Sequence, residues 1–118
     1  MAWYVIAETY IDQWKPLPID TGRGLGILVF DSWWDAGDFI DANWEISLGP
    51  GWEPLELNAA QLAHILERCA DEEDIKWVVH NAPSRPGGVP WGAEGAPQQA
   101  QAKVGDIRNF IEALRGPE

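Results

Sequence analysis

Residues 25–67 read LGILVFDSWWDAGDFIDANWEISLGPGWEPLELNAAQLAHILE, and this stretch sets the pattern for the rest of the chain. It contains no lysine or arginine, yet it holds four of the eight tryptophans of the chain. Its eight acids are Asp31, Asp35, Asp38, Asp41, Glu45, Glu53, Glu56 and Glu67. The stretch therefore carries a charge of -8 within a chain of net charge -11. We expect it to form a negatively charged surface that presents aromatic rings.

The first half of this stretch predicts two strands joined by a hairpin. Leu25–Trp34 and Phe39–Leu48 are rich in β-branched and aromatic residues, and Asp35–Asp38 has the composition of a four-residue turn. In the second of these strands apolar and polar residues alternate, which is typical of a sheet with one face in water. The polar side of that alternation includes Asn43.

The second half predicts a helix. Asn58 and Gln61 have the spacing of a capping box at a helix N-terminus. The apolar residues that follow recur at helical spacing and predict a buried stripe of Leu62, Ile65, Leu66 and Cys69. His64 lies nearly opposite that stripe, so it is predicted to face solvent.

Outside residues 25–67 the chain predicts two more strands and one more helix. Residues 2–11 are apolar on both faces, which favours an inner strand, and Ile75–His80 is predicted as a strand whose Lys76 and His80 face water. Helical periodicity returns over Gln98–Arg115 and ends at Gly116. The segments between these elements are predicted loops, Asp12–Gly24 and the Gly/Pro-rich residues 81–97.

The resulting order of elements is β-β-β-α-β-α. It predicts an α+β fold with a mostly antiparallel four-stranded sheet and two helices packed on one face. At 118 residues the chain is predicted to form a single compact domain over residues 1–118.

The charge of the chain limits its partners. A net charge of -11 and a pI of about 4.4 oppose binding to nucleic acid or to an anionic membrane. We expect instead a basic protein or a cationic small molecule. The single cysteine, Cys69, excludes an internal disulfide, and no apolar leader follows Met1, so a cytoplasmic location is expected.

Catalytic chemistry has no recognisable signature. The two histidines, His64 and His80, occur in no catalytic or metal-binding motif, and with nineteen acids a pair of carboxylates is not specific. The sequence favours a non-enzymatic role, with no catalytic residue, metal or cofactor.

The first functional hypothesis is a small acidic protein-binding module of the inhibitor or immunity type. Its composition is similar to that of toxin-immunity proteins and phage-borne inhibitors, a similarity that involves no motif. Acids would attract a basic partner and exposed indoles would anchor it. The predicted contact residues are Trp33, Trp34, Asp35, Asp38, Asp41, Glu45, Trp52 and Glu53. An alternative is that these indoles form core and the acids serve solubility.

The second hypothesis is a pocket for a small cationic or planar ligand between sheet and helices. Aromatic rings beside a carboxylate are what cation-π recognition requires. Strand position selects Tyr4, Glu8, Trp44 and Trp91 for this site, with Glu45 as a further counter-charge. Both a monomer and a homodimer are compatible with the sequence.

Overall fold

Three strands precede the first helix of the protein, and strands and helices are interspersed after it. The computed structural model describes residues 2–8, 16–43, 52–84 and 103–116, with only the backbone described for Glu8. In chain order the elements are β1 (Trp3–Glu8), β2 (Pro18–Asp20), β3 (Leu25–Phe30), α1 (Trp33–Asn43), β4 (Trp52–Leu57), α2 (Ala59–Glu72), β5 (Trp77–His80), β6 (Val104–Asp106) and α3 (Ile107–Arg115).

A mixed sheet organises the described residues. Its strand order is β4-β1-β3-β5-β6, and β2 pairs with the first half of β3. Strands β3 and β5 are parallel, while the other four pairings are antiparallel. The α+β class is thus confirmed, as is the inner position of β1. The predicted number of four strands is wrong, because the described residues form six.

Helix α1 replaces the predicted hairpin. The strand that begins at Leu25 ends at Phe30, and Ser32 then starts the helix: its Oγ accepts the Asp35 N–H at 3.5 Å and its carbonyl accepts the Ala36 N–H at 3.2 Å. The predicted turn Asp35–Asp38 and the start of the predicted strand Phe39–Leu48 are helical. Residues 44–48 lie outside the described part of the chain.

Helical packing explains this correction. The buried residues of α1 are Ala36, Phe39 and Asn43, which are three and four positions apart and so share one side of a helix. The apparent alternation around Phe39 therefore does not reflect a strand. Tertiary burial of this side outweighs the β propensity of the aromatic residues.

Side chains on the two faces of the sheet pack into two separate cores. On one face Val5, Ile27, Val29 and Val78 pack with α2 and α3. On the other face Ile6, Leu28, Phe30 and Val79 pack with α1. The prediction that the helices pack on one face of the sheet is right for α2 and α3. It is wrong for α1, which covers the opposite face.

The two remaining helices agree better with the sequence. The capping box of Asn58 and Gln61 is present, Leu62, Leu66 and Cys69 are buried, and His64 is exposed, as predicted. Helix α3 begins later than predicted, because Val104–Asp106 is a strand and Asp106 caps the helix by accepting the Asn109 N–H.

Short local features complete the fold. Within the predicted loop Asp12–Gly24 the structure forms strand β2, and the following turn uses Gly22 and Gly24 at φ 83 and 134. These positive φ angles favour glycine. Among the described residues, no helix has the length and apolar character needed to cross a membrane.

Candidate functional site

One side of α1 faces solvent and carries a tryptophan with two aspartates. At about 100° per residue, Trp34, Asp38 and Asp41 lie opposite the buried side of the helix. All three are exposed, and Trp33 and Asp35 flank them. We call Trp33, Trp34, Asp35, Asp38 and Asp41 the α1 surface. These five predicted contact residues are brought together by the structure.

The two tryptophans of this surface are exposed to an unusual degree. Trp34 is 74% exposed and Trp33 is 50% exposed. Their ring centroids lie 5.1 Å apart at an interplanar angle of 85°. Large aromatic rings normally bury most of their area. Exposed neighbouring rings are typical of surfaces that bind a partner.

In the described structure, the aspartates of the α1 surface stand without a lysine or arginine beside them. Within the described parts of the chain, no lysine or arginine forms an ion pair with Asp35, Asp38 or Asp41. Asp35 in the first turn is favoured by the helix dipole, but no basic residue offsets the negative end of the helix in its last turn. The surface therefore has a negative potential along its whole length.

Trp52 and Glu53 occupy opposite faces of the edge strand β4. Trp52 is half-buried and packs against the core beneath α1. Successive strand residues point to opposite faces, so the exposed Glu53 belongs to the α2/α3 face. Trp52 thus supports the α1 surface from below, while Glu53 is separate from it. Glu45 lies outside the described residues.

The acidic stretch as a whole does not form a single face. Glu67 lies on α2, on the other side of the sheet, and its Oε2 is 2.7 Å from a guanidinium nitrogen of Arg115. This hydrogen bond lowers the pKa of Glu67. Its charge is thereby offset within the molecule, unlike the charges of the α1 aspartates in the described structure.

The residues of the predicted ligand pocket are only partly described. Tyr4 is half-buried and its hydroxyl donates a 2.9 Å hydrogen bond to Glu56, which raises the pKa of Tyr4. The side chain of Glu8, and Trp44 and Trp91, lie outside the described part of the chain. This ligand site stays a prediction.

Of the two predicted sites, the α1 surface has more of its residues in the described part of the chain than the ligand pocket has. No protein-family model, curated protein or solved structure matches this chain. Its function is therefore argued from its own residues and their geometry.

His80 occupies an environment that the sequence did not indicate. It faces water only in part: it lies between Trp3 and Phe110, with each ring centroid 5.6 Å away, and 39% of its side chain stays accessible. Its Nε2 is 3.5 Å from Asp31 Oδ2, is shielded from solvent and has no hydrogen-bond partner among the described atoms. Lys76 is exposed, as predicted.

This histidine lies where the two parallel strands end. Asp31 follows β3 and His80 ends β5, so parallel pairing brings them to one edge of the sheet. Asn81, at φ 53, ties these ends together: its N–H donates to the Val29 carbonyl at 2.8 Å and its Oδ1 accepts the Asp31 N–H at 3.1 Å. The strand pairing that creates this group could not be read from the sequence.

The described residues contain no candidate metal site. Among the described residues, no three His, Cys, Asp or Glu side chains lie close enough together to hold a metal ion.

Proposed function

We propose that the protein is a binding module of the inhibitor or immunity type that docks on a basic protein through the α1 surface. The observation that carries this proposal is the pair of exposed tryptophans, Trp33 and Trp34, on a helix side whose three carboxylates have no cation beside them in the described structure. The core role predicted as an alternative for these indoles does not fit their exposure.

Charge favours a basic protein as the occupant. A second copy of the chain carries the same net charge of -11 and would be repelled. Nucleic acid and anionic lipid are also negative and would be repelled as well. A partner rich in lysine and arginine gains Coulomb attraction, and it associates faster at low salt.

The tryptophans supply the contact area that charge alone lacks. Trp33 and Trp34 stand together in the first turn of α1, where their exposed rings offer a partner a flat area to pack against. Trp is among the residues most often found as an interface hot spot, where truncation costs about 2 kcal/mol or more. We therefore expect Trp34 to control dissociation and the aspartates to control association.

The test compares proteins captured from a lysate of the source cells by immobilised variants. We expect a basic protein to be retained by the native chain and lost with the double variant Asp38→Lys/Asp41→Lys. The matched control, Glu72→Lys/Glu112→Lys, makes the same change in net charge on exposed positions of α2 and α3. It should retain the partner.

Binding of the captured partner is then measured with purified proteins. We expect Trp34→Ala to raise the Kd by about 30-fold or more, and salt to slow association of the native chain. Equal capture by the α1 variant and the control variant, or an unchanged Kd for Trp34→Ala, would contradict docking through this surface.

A further inference from the structure

A concave site lies where strands β5 and β6 meet α3, apart from the α1 surface. It is a pocket of about 420 Å³ between the end of β5, the start of β6 and α3. Val78 and Phe110, which belong to the core beside α2 and α3, line it together with Val104, which packs against the core beneath α1. Its polar lining is formed by His80, Asn81 and Lys103. It lies beside the carboxyl ends of the parallel strands β3 and β5, which is where open sheets with parallel strands commonly bind small ligands.

Lys103 makes this pocket locally positive. The described arginines on α2 and α3 form ion pairs with acids, and Arg23 lies over the ring of Trp77. Lys103 has no acid within ion-pair distance in the described part of the chain. In a chain with 8 cationic and 19 acidic residues, a lysine that lines a pocket and has no described acid beside it points to an anionic ligand.

Asn81 adds a neutral donor to this cation. Its Oδ1 accepts the Asp31 N–H, so the NH₂ group is the part of its amide that has hydrogens to donate. An ammonium and an amide NH₂ together suit the two oxygens of a carboxylate. Asp31 Oδ2 lies 3.5 Å from His80 Nε2, so this carboxylate is next to the imidazole nitrogen.

Aromatic side chains give the pocket a wall for a flat ligand. The rings of His80 and Phe110 are 5.6 Å apart at 69°, and the His80 ring is further held by Trp3. Such rings favour a planar apolar group over a flexible chain, because ring pairs gain energy beyond area burial. His80 contributes this ring surface, while Lys103 and Asn81 contribute the polar contacts.

From this arrangement we propose that the pocket binds a small planar carboxylate. The carboxylate contacts Lys103 and Asn81, and the planar group lies against His80 and Phe110. This site is independent of the α1 surface, because none of its lining residues belongs to the group proposed to dock on a protein.

The experiment is an NMR titration of the full chain at constant pH, with benzoate as the probe. The chain has two histidines, so the imidazole signals of His80 report on the pocket while those of the exposed His64 on α2 serve as an internal control. We expect benzoate to shift the His80 signals saturably, with a Kd of about 1 mM for so small a ligand, and to leave His64 unchanged. Neutral benzamide and cationic benzamidinium, which keep the ring, should bind at least about tenfold more weakly.

Variants then test the residues. Lys103→Met should weaken benzoate at least about tenfold, Lys103→Arg should retain it, and Lys76→Met, which removes an equal charge at another exposed position, should leave it unchanged. Dispersed amide spectra show that each variant is folded. The proposal is overturned if benzoate leaves His80 unperturbed, if benzamidinium binds equally well, or if Lys103→Met behaves like Lys76→Met.

Discussion

At the scale of single residues, Asn43 shows how one amide can join distant parts of the chain. It is fully buried at the end of α1, and its Nδ2 donates to the Phe39 carbonyl at 2.8 Å and to the Ser84 carbonyl at 2.9 Å. We predict that Asn43→Ala lowers the free energy of unfolding by about 1–3 kcal/mol, because it leaves buried carbonyls without their donor. Urea unfolding followed by circular dichroism measures this change.

Two companion variants make the Asn43 result specific. Asp41→Ala, on the exposed side of the same helix, should change the unfolding free energy by less than about 0.5 kcal/mol. Asn43→Asp should be worse than Asn43→Ala, since burial raises the pKa of a carboxyl and favours its protonated form. The loss of unfolding free energy caused by Asn43→Asp should therefore become smaller as the pH falls through the raised pKa of the new carboxyl. Equal effects of Asn43→Ala and Asp41→Ala would show that the buried amide contributes nothing.

Residue identity revealed part of the α1 surface from the sequence alone. The clustering of tryptophans and aspartates without lysine or arginine selected Trp33, Trp34, Asp35, Asp38 and Asp41, which lie on helix α1; their role in binding stays a prediction. The separation of Glu53 from this group depends on which face of β4 each residue occupies. His80 could not be placed, because its ring contacts come from β1 and α3, which are far away in sequence.

At the scale of elements, α1 was missed although α2 was found. Both begin with a capping residue, but the Asn58–Gln61 box precedes a clear polar-apolar helical stripe. The Ser32–Asp35 cap instead leads into Trp-Trp and Phe-Ile pairs, which have high β propensity. The useful signal was the three- and four-residue spacing of Ala36, Phe39 and Asn43, which agrees with a helix and not with a strand.

Gly37 distinguishes the helix from the predicted turn by experiment. In α1 a Cβ at this position would meet no atom within 4 Å, and its φ is not positive. We therefore predict that Gly37→Ala raises the free energy of unfolding by about 0.5–1 kcal/mol, as in other exposed helix interiors. Chemical denaturation gives the difference.

Gly24 provides the opposite control. Its φ of 134° is a conformation that residues with a Cβ rarely adopt, so Gly24→Ala should destabilise the protein although a Cβ there would make only ordinary contact with Trp77. A loss of stability in Gly37→Ala as well would favour a turn at residues 35–38 and would count against α1 as a helix.

At the scale of the whole molecule, the sheet is covered on both faces. The alternation over Phe39–Leu48 predicts a sheet with one face in water. However, β3 contains the consecutive buried residues Leu28, Val29 and Phe30, a run that indicates burial on both faces. The composition could support the α+β class, but not the parallel pairing of β3 with β5. That pairing joins segments about fifty residues apart, and no local pattern encodes it.

Because adjacent residues of one strand enter different cores, the two cores are expected to unfold together. Ile6 packs under α1 and Ile27 packs under α2 and α3, and both are fully buried. We predict that Ile6→Val and Ile27→Val each lower the free energy of unfolding by about 0.5–1.5 kcal/mol, the usual result of removing one buried methylene. Since their side chains lie on opposite faces of the sheet, the double variant should equal the sum within about 0.5 kcal/mol.

Calorimetry tests the coupling of the two cores directly. Each variant should shift one common transition whose calorimetric and van't Hoff enthalpies agree, since β1 and β3 contribute to both cores and cannot lose one while keeping the other. Two transitions, with Ile6→Val moving only the lower one, would mean that α1 and its core open separately. The α1 surface would then be presented on a layer that folds only in part, and a partner would have to supply the free energy to order it.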